Sequence, residues 1–173
     1  MSLMIKIIND FLTAKEISTL VPVLEQGSWS FGAYSYDSSS SRRFWKKELI
    51  NTEAVKFFTD KIQHSLGCKI IVYELYVNGQ AHGQCGDWHC DVHDPSILDG
   101  ITLVYFLKEW QPEYGGHLLI KTDNILSILP EQNKAVLFES VMEHVGLEPT
   151  IHCKTQRESI ACKFRVINDK ILC

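Results

Sequence analysis

The sequence predicts a mainly β fold, a double-sheet jelly roll or barrel carried behind a helical N-terminal section, and three observations predict it. Apolar residues recur at helical spacing in two segments ahead of Gly67. From Lys69 onward the apolar runs shorten to strand length and give about eight candidate strands. Turn residues punctuate that stretch at Asn78-Gly79, Asp99-Gly100, Gly115-Gly116 and Pro130.

The elements follow in order. Met4 to Ile8 reads as a short strand. Thr13 opens a helix as its N-cap, with Glu16 three positions on completing a capping box. Ile17, Leu20, Val21 and Leu24 then form one apolar stripe. Tyr34 to Lys47 reads as a polar loop or weak strand; with Arg42, Arg43, Trp45, Lys46 and Lys47 it is either a solvated loop or a rim facing a ligand. Asn51 or Thr52 caps a second helix that presents Val55, Phe58, Ile62 and Leu66 to a core, and Gly67 stops it. The strands expected after it are Lys69 to Val77, Trp88 to Val92, Ile101 to Lys108, His117 to Lys121, Ile125 to Leu129, Lys134 to Glu139, His144 to Leu147 and Ser159 to Ile167.

The whole chain sets bounds on these elements. Its 173 residues suit one domain over 1–173, with supporting helices and strands over 1–68 and a jelly-roll core over 69–168. The net charge of -4 at pH 7 disfavours a nucleic-acid-binding module. No apolar run approaches the ~18 to 20 residues of a membrane span, and the start lacks a secretory apolar region. The chain therefore reads as soluble, intracellular and cytoplasmic. Cys68, Cys85, Cys90, Cys153, Cys162 and Cys173 lack CxxC spacing and read as free thiols rather than a disulfide framework. A zinc site from Cys85, Cys90 and nearby histidines matches no standard ligand spacing.

The chemistry concentrates in His89-Cys90-Asp91, with His144 and then Arg157-Glu158-Ser159 downstream. In an extended segment alternate side chains share a face, so His89 and Asp91 point one way and Cys90 the other. Two imidazoles and one carboxylate make a facial set that leaves coordination positions open, which suits non-haem Fe(II). His144 is the second imidazole; His152 lies only five residues before Arg157, too close for a hairpin between them. An arginine beyond the second histidine supplies a guanidinium fork, the usual partner of a carboxylate.

These residues resemble the Fe(II)/2-oxoglutarate-dependent dioxygenases, in particular the prolyl-hydroxylase-like branch. The likeness covers roughly residues 71 to 164. It begins at Tyr76 in YVNGQ, similar to the family's tyrosine-then-glycine segment ahead of its HxD. TLVYFLKEW resembles the strand whose tyrosine, here Tyr105, helps hold 2-oxoglutarate. EYGGHLLI resembles the Gly-Gly element and places Leu118 beside the cosubstrate. AVLFESVMEHV resembles the apolar strand running into the second histidine. Arg157 and Ser159 match the basic-x-Ser pattern that binds the distal carboxylate of 2-oxoglutarate. The stretch from His144 to Arg157 is longer than the family pattern, which implies an enlarged turn around Glu148 to Thr155. Lys163 shares the inward parity of Arg157 and Ser159 and is left between a contact at the site and a bulged strand end. His82 and His93 are unassigned, and Trp88 and Trp110 read as packing at strand ends.

The resemblance implies a fold, a cofactor set and an activity. The fold is a double-stranded β-helix with N-terminal supporting helices. Fe(II) is held by His89, Asp91 and His144, and O2 and 2-oxoglutarate are cosubstrates, with ascorbate in support. The activity is hydroxylation of an unactivated C–H with release of succinate and CO2. The retained carboxylate ligand, Asp91, favours hydroxylation over halogenation. A prolyl residue of a peptide or protein is the first substrate expected, and a free amino acid or small metabolite the second. A non-catalytic metal-binding jelly roll is the rival from another class. Nucleic-acid demethylation is disfavoured because Lys163 stands where that branch carries a second arginine. Oligomeric state is not legible in the chain.

Overall fold

A computed structural model describes residues 5–35, 41–49, 52–92 and 100–167. Met4, residues 36–40 of the Tyr34 to Lys47 segment, Asn51, His93, Asp99 and Cys173, which entered the readings above, lie outside the described residues. Strand β1 (Ile5–Ile8) leads to helix α1 (Ala14–Glu25), followed by β2 (Ser30–Ala33), β3 (Phe44–Glu48) and helix α2 (Thr52–Leu66). The strands after it are β4 (Lys69–Gln80), β5 (Gly100–Phe106), β6 (Leu118–Lys121), β7 (Ile125–Ile128), β8 (Lys134–Glu139), β9 (His144–Gly146) and β10 (Arg157–Ile167). They form a seven-stranded antiparallel sheet ordered β1-β8-β5-β10-β4-β3-β2 and a three-stranded sheet ordered β7-β6-β9. This is the α+β, mainly β jelly roll with supporting N-terminal helices that the sequence predicts.

Local chemistry accounts for the helices. At α1 the Thr13 side chain accepts from the Glu16 N–H at 3.2 Å, and the Glu16 carboxylate accepts from the Thr13 N–H at 2.7 Å, a complete capping box. Gly67 leaves α2 at φ 68°, a conformation that glycine adopts without a Cβ clash. Leu20, Leu24, Phe58 and Ile62 bury the apolar stripes against one face of the large sheet, together with Leu103, Leu137, Cys162 and Phe164. Full burial of a side chain such as Phe58 or Ile62 contributes about 1.5–3 kcal/mol.

The other face of the large sheet meets the small one. Val104, Phe106, Val136 and Phe138 pack there on Leu118, Ile120 and Ile128. β5 is therefore covered on both sides and buried along its whole length. Its parity decides which residues see the space between the sheets: Thr102, Val104 and Phe106 do, whereas Leu103 and Tyr105 face the helices.

Two local expectations are corrected. Trp88 to Val92 is not a strand; only His89 makes a bridge, with His144, and beyond it Asp91 and Val92 both donate to the single carbonyl of Ser140 instead of continuing a ladder. Asn78-Gly79 is not a turn, since β4 runs through both to Gln80 in register with β3 and β10. Within Tyr34 to Lys47, read as a polar loop or weak strand, Phe44 onward takes the strand alternative as part of β3, beside β4. The described cysteines Cys68, Cys85, Cys90, Cys153 and Cys162 are free thiols. Among the described residues no helix is long and apolar enough to cross a membrane.

Candidate active site

His144 opens β9, where it pairs with Ile120 of β6. The segment carrying His89 lies against it: His89 and His144 exchange both backbone hydrogen bonds, at 3.0 and 2.9 Å. The Asp91 N–H then donates to the carbonyl of Ser140 at 2.9 Å. These contacts take over from a regular ladder in setting the alternation that places His89 and Asp91 on one side.

Their side chains converge. Nε2 of His89 lies 3.7 Å from Oδ1 of Asp91, and Nε2 of His144 lies 3.6 Å from Oδ2. One ligand atom from each residue falls within 4.8 Å of the others, and this is the one such His/Cys/Asp/Glu cluster among the described residues. Each imidazole has its tautomer fixed from behind. Nδ1 of His89 donates to the Asp87 carbonyl at 2.8 Å, and Nδ1 of His144 to the Met142 carbonyl at 3.0 Å. A carbonyl can only accept, so each Nδ1 carries a proton and Nε2 is the ring nitrogen turned inward.

Asp91 is held on both oxygens. The Thr102 hydroxyl donates to Oδ2 at 2.5 Å, and Lys163 Nζ lies 3.0 Å from Oδ1. Burial alone would raise the carboxyl pKa, but His144, Lys163 and Thr102 together carry it below the ordinary carboxylate value. Burial holds His144 below the usual imidazole value, which favours the neutral form a metal needs. Two imidazoles that turn Nε2 inward and an ionised carboxylate on one face fit a divalent iron with positions left open.

The opposite end of the cavity is built for an anion. Arg157, 2% exposed, donates from Nε to the Gly116 carbonyl at 2.6 Å and from Nη1 to Gln80 at 2.9 Å and Ser159 at 3.2 Å. Gly116 is required here: its φ is 69°, and a Cβ would lie 3.0 Å from Cδ of Arg157. No carboxylate among the described residues pairs with this guanidinium. Burial pulls its pKa down to about 10, so it remains a cation at neutral pH. A buried, uncompensated cation is costly unless a ligand supplies the anion.

His89, Asp91, His144, Arg157, Ser159, Tyr76 and Leu118 line this one cavity. Tyr105 does not, and its expected contact with the cosubstrate is corrected. Its ring packs with Phe11 and Phe58 on the helical side, and its hydroxyl donates to Asn133 at 3.1 Å. Parity is the physical reason, and Phe106 takes the inward place, 5.4 Å from the Arg157 guanidinium. Gln80 and Thr102 were missed; Gln80 shares strand parity with Tyr76, whereas Thr102 has the parity opposite to Tyr105, the one β5 residue singled out. Lys163 does turn inward, to Asp91 and, at 3.0 Å, Glu74. The long segment before Arg157 is a loop pinned to the Gly115 turn by Thr150 N–H to the Tyr114 carbonyl at 2.8 Å. His152 stays exposed, outside the cluster.

The inner cavity, about 60 Å³, adjoins an outer one of about 220 Å³ that shares His89, Asp91, Tyr76 and Asn78 in its wall. Together they approach the lower end of small-ligand sites, about 300 Å³.

Comparison with solved structures gives the same fold. A prolyl hydroxylase from Trichoplax adhaerens, in complex with a hypoxia inducible factor oxygen degradation domain peptide fragment, is 16% identical with a TM-score of 0.69, over 96% of this chain and 84% of that one. A Pseudomonas putida prolyl-4-hydroxylase is 17% identical with a TM-score of 0.60, over 94% and 91%. HygX from Streptomyces hygroscopicus, with nickel, 2-oxoglutarate and hygromycin B bound, is 8% identical with a TM-score of 0.66, over 95% and 83%. No curated protein matches the sequence. The model of the 2OG-Fe(II) oxygenase superfamily matches residues 70–165, more than half of the chain and the whole span from β4 to β10 that carries these side chains, and the chain belongs to that superfamily.

Proposed function

We propose that the protein is a hydroxylase that oxidises an unactivated C–H with iron, 2-oxoglutarate and O2, releasing succinate and CO2. One observation carries the reading: a buried guanidinium with no carboxylate partner among the described residues shares a cavity with a His-Asp-His cluster. His89, Asp91 and His144 would hold the iron, which when bound supplies the O2 and redox chemistry. Arg157, aided by Ser159, receives the distal carboxylate of 2-oxoglutarate through charge-assisted hydrogen bonds. Burial raises the Tyr76 pKa well above neutral, so its hydroxyl stays a donor in the cavity wall. Leu118 and Val104 supply apolar parts of that wall. A purely structural metal site gives no reason for an unpaired cation beside it, which weighs against a non-catalytic binding protein.

A prolyl residue of a peptide or protein is the substrate that the resemblance to the prolyl-hydroxylase-like branch supports. A free amino acid or small metabolite is the second reading, and the polar lining of the outer cavity favours it. The test is succinate formation by protein loaded anaerobically with Fe(II) and ascorbate, then exposed to air, with and without proline-rich peptides. Peptide-stimulated succinate and one oxygen gained by the peptide support the prolyl substrate. Succinate that peptides leave unchanged moves the substrate to small molecules, and none under verified iron loading contradicts the hydroxylase.

A further inference from the structure

Strand β4 changes face once along its length. Ile70 and Val72 pack on the helical side with Phe164, and so do Leu75 and Val77, an even-numbered pair and an odd-numbered one. The switch is a bulge: Lys163 pairs with Glu74 and Phe164 with Val72, which leaves Tyr73 as an extra residue on β4. Without it, the alternation set by Ile70 and Val72 would turn Glu74, Tyr76 and Asn78 to the helices. With it, all three line the outer cavity, and Glu74 stands opposite Lys163.

Lys163 is shared between two carboxylates. Its Nζ lies 3.0 Å from Oδ1 of Asp91 and 3.0 Å from Oε2 of Glu74, which hold it as an ammonium ion. Its side chain is 12% exposed and that of Asp91 3%, so water screens this pair little. Asp91 does not need the charge to be oriented. The Thr102 hydroxyl already holds Oδ2, and the Asp91 N–H is fixed by the Ser140 carbonyl. Burying an ammonium costs more than burying a hydroxyl. What Lys163 adds is a positive charge on one oxygen of the proposed metal ligand. Lys46 reaches the same corner but not that oxygen: it lies over the Tyr76 ring at 4.0 Å and pairs with Glu48 at 2.7 Å.

We propose that Lys163 is a positioning residue that acts through Asp91 to favour the ferrous state of iron in this site, raising the potential of the one-electron Fe(III)/Fe(II) couple. A nearby positive charge disfavours both oxidation states, and Fe(III), with the larger charge, the more. A carboxylate that shares its electrons with an ammonium is also a weaker donor, and Fe(III) depends on that donation more than Fe(II) does. Glu74 moderates the effect, because it draws on the same ammonium. The proposed hydroxylation starts from Fe(II), so iron lost to Fe(III) must be reduced before the site works again. The inference rests on the reading of His89, Asp91 and His144 as iron ligands, and needs no substrate to be known.

The test is a redox titration of the full-length protein loaded with iron, without 2-oxoglutarate. Dissolved mediators supply and take up the electron, and the EPR signal of Fe(III) is the readout. Lys163→Met lowers the midpoint potential by at least ~59 mV, a tenfold shift toward Fe(III). Glu74→Gln leaves the ammonium to Asp91 and raises the potential; Glu74 is 46% exposed, so the rise is smaller, about threefold in the same equilibrium. Lys46→Met moves it by less than about twofold. Iron content and thermal melts are measured for each variant, and loss of fold alone does not give shifts of opposite sign. An unchanged potential in Lys163→Met, a fall in Glu74→Gln, or a shift in Lys46→Met as large as that in Lys163→Met overturns the proposal. Should Lys163→Met fail to fold or lose its iron, a rise in Glu74→Gln beside an unmoved Lys46→Met upholds it, and no rise overturns it. Iron bound by the wild type and lost in His89→Ala, with none of these shifts, sinks the inference and spares the metal site. Wild-type protein that takes up no iron, or His89→Ala that keeps it, sinks both.

Discussion

The Thr102 hydroxyl donates to Oδ2 of Asp91 at 2.5 Å, and the same hydroxyl oxygen lies 3.0 Å from Oγ of Ser140. Ser140 also accepts the backbone N–H of Asp91 through its carbonyl, so one small network fixes the backbone and the side chain of the proposed carboxylate ligand. Groups that orient a ligand from behind tune metal affinity by about 10–100-fold. Thr102→Val keeps the shape and removes the donor. The expected outcome is a drop of that size in divalent-metal affinity by calorimetric titration, and unchanged affinity would mean that Lys163 alone suffices to orient Asp91.

Arg157 is proposed to hold the cosubstrate, and hydrogen bonds to a charged group contribute about 1.5–3 kcal/mol each. Arg157→Lys keeps the charge but loses the fork, so KM for 2-oxoglutarate should rise at least tenfold while metal affinity stays as in wild type. Arg157→Ala should cost stability as well, because Gly116, Gln80 and Ser159 lose the donors they now share. A variant with normal KM for 2-oxoglutarate would place the cosubstrate elsewhere.

Gly116 tests the same pocket from its rim. Gly116→Ala puts a side chain on a backbone at φ 69° and 3.0 Å from Cδ of Arg157. The left-handed backbone costs about 1–2 kcal/mol for an L-residue, and the contact pushes the guanidinium off its acceptors. A lower melting temperature together with weaker 2-oxoglutarate binding is expected. A lower melting temperature with unchanged binding would show that the arginine tolerates the shift.

Tyr105 gives the contrasting outcome. Tyr105→Phe removes the bond to Asn133, which keeps its contacts with the N–H and carbonyl of Leu12 at 2.9 and 2.8 Å. The expected loss is about 1 kcal/mol of stability by chemical denaturation, with KM for 2-oxoglutarate unaltered. A raised KM would return Tyr105 to the cosubstrate and contradict the parity of β5.

Tyr105 also marks where reading the sequence stops being sufficient. The helices were legible because capping and periodicity are local: Thr13, Glu16 and the stripes of both helices do what their spacing requires. The convergence of His89, Asp91 and His144 was legible because HxD parity and a distant histidine need only one alternation and one pairing. β5 was different. Its residues are apolar on both faces, so periodicity carries no sign of which face meets the helices, and the tyrosine fell on the wrong one. Asn78-Gly79 misled for a related reason: a turn-forming pair can lie inside a strand when both its edges are paired, here by β3 and β10. Gln80 and Thr102 carried no motif, and only the pairing of β4, β5 and β10 brings them to the site.

The central claim is that the His-Asp-His cluster and Arg157 act together as one oxygenase site. The most direct measurement is succinate formed from 2-oxoglutarate by the Fe(II)-loaded protein in air, alongside His89→Ala and Arg157→Ala at matched protein concentration. Succinate from the wild type, with its loss in His89→Ala through failed metal binding and in Arg157→Ala through failed cosubstrate binding, is the predicted result. Wild-type turnover in both variants, or no succinate from wild-type protein with verified iron content, would contradict the claim.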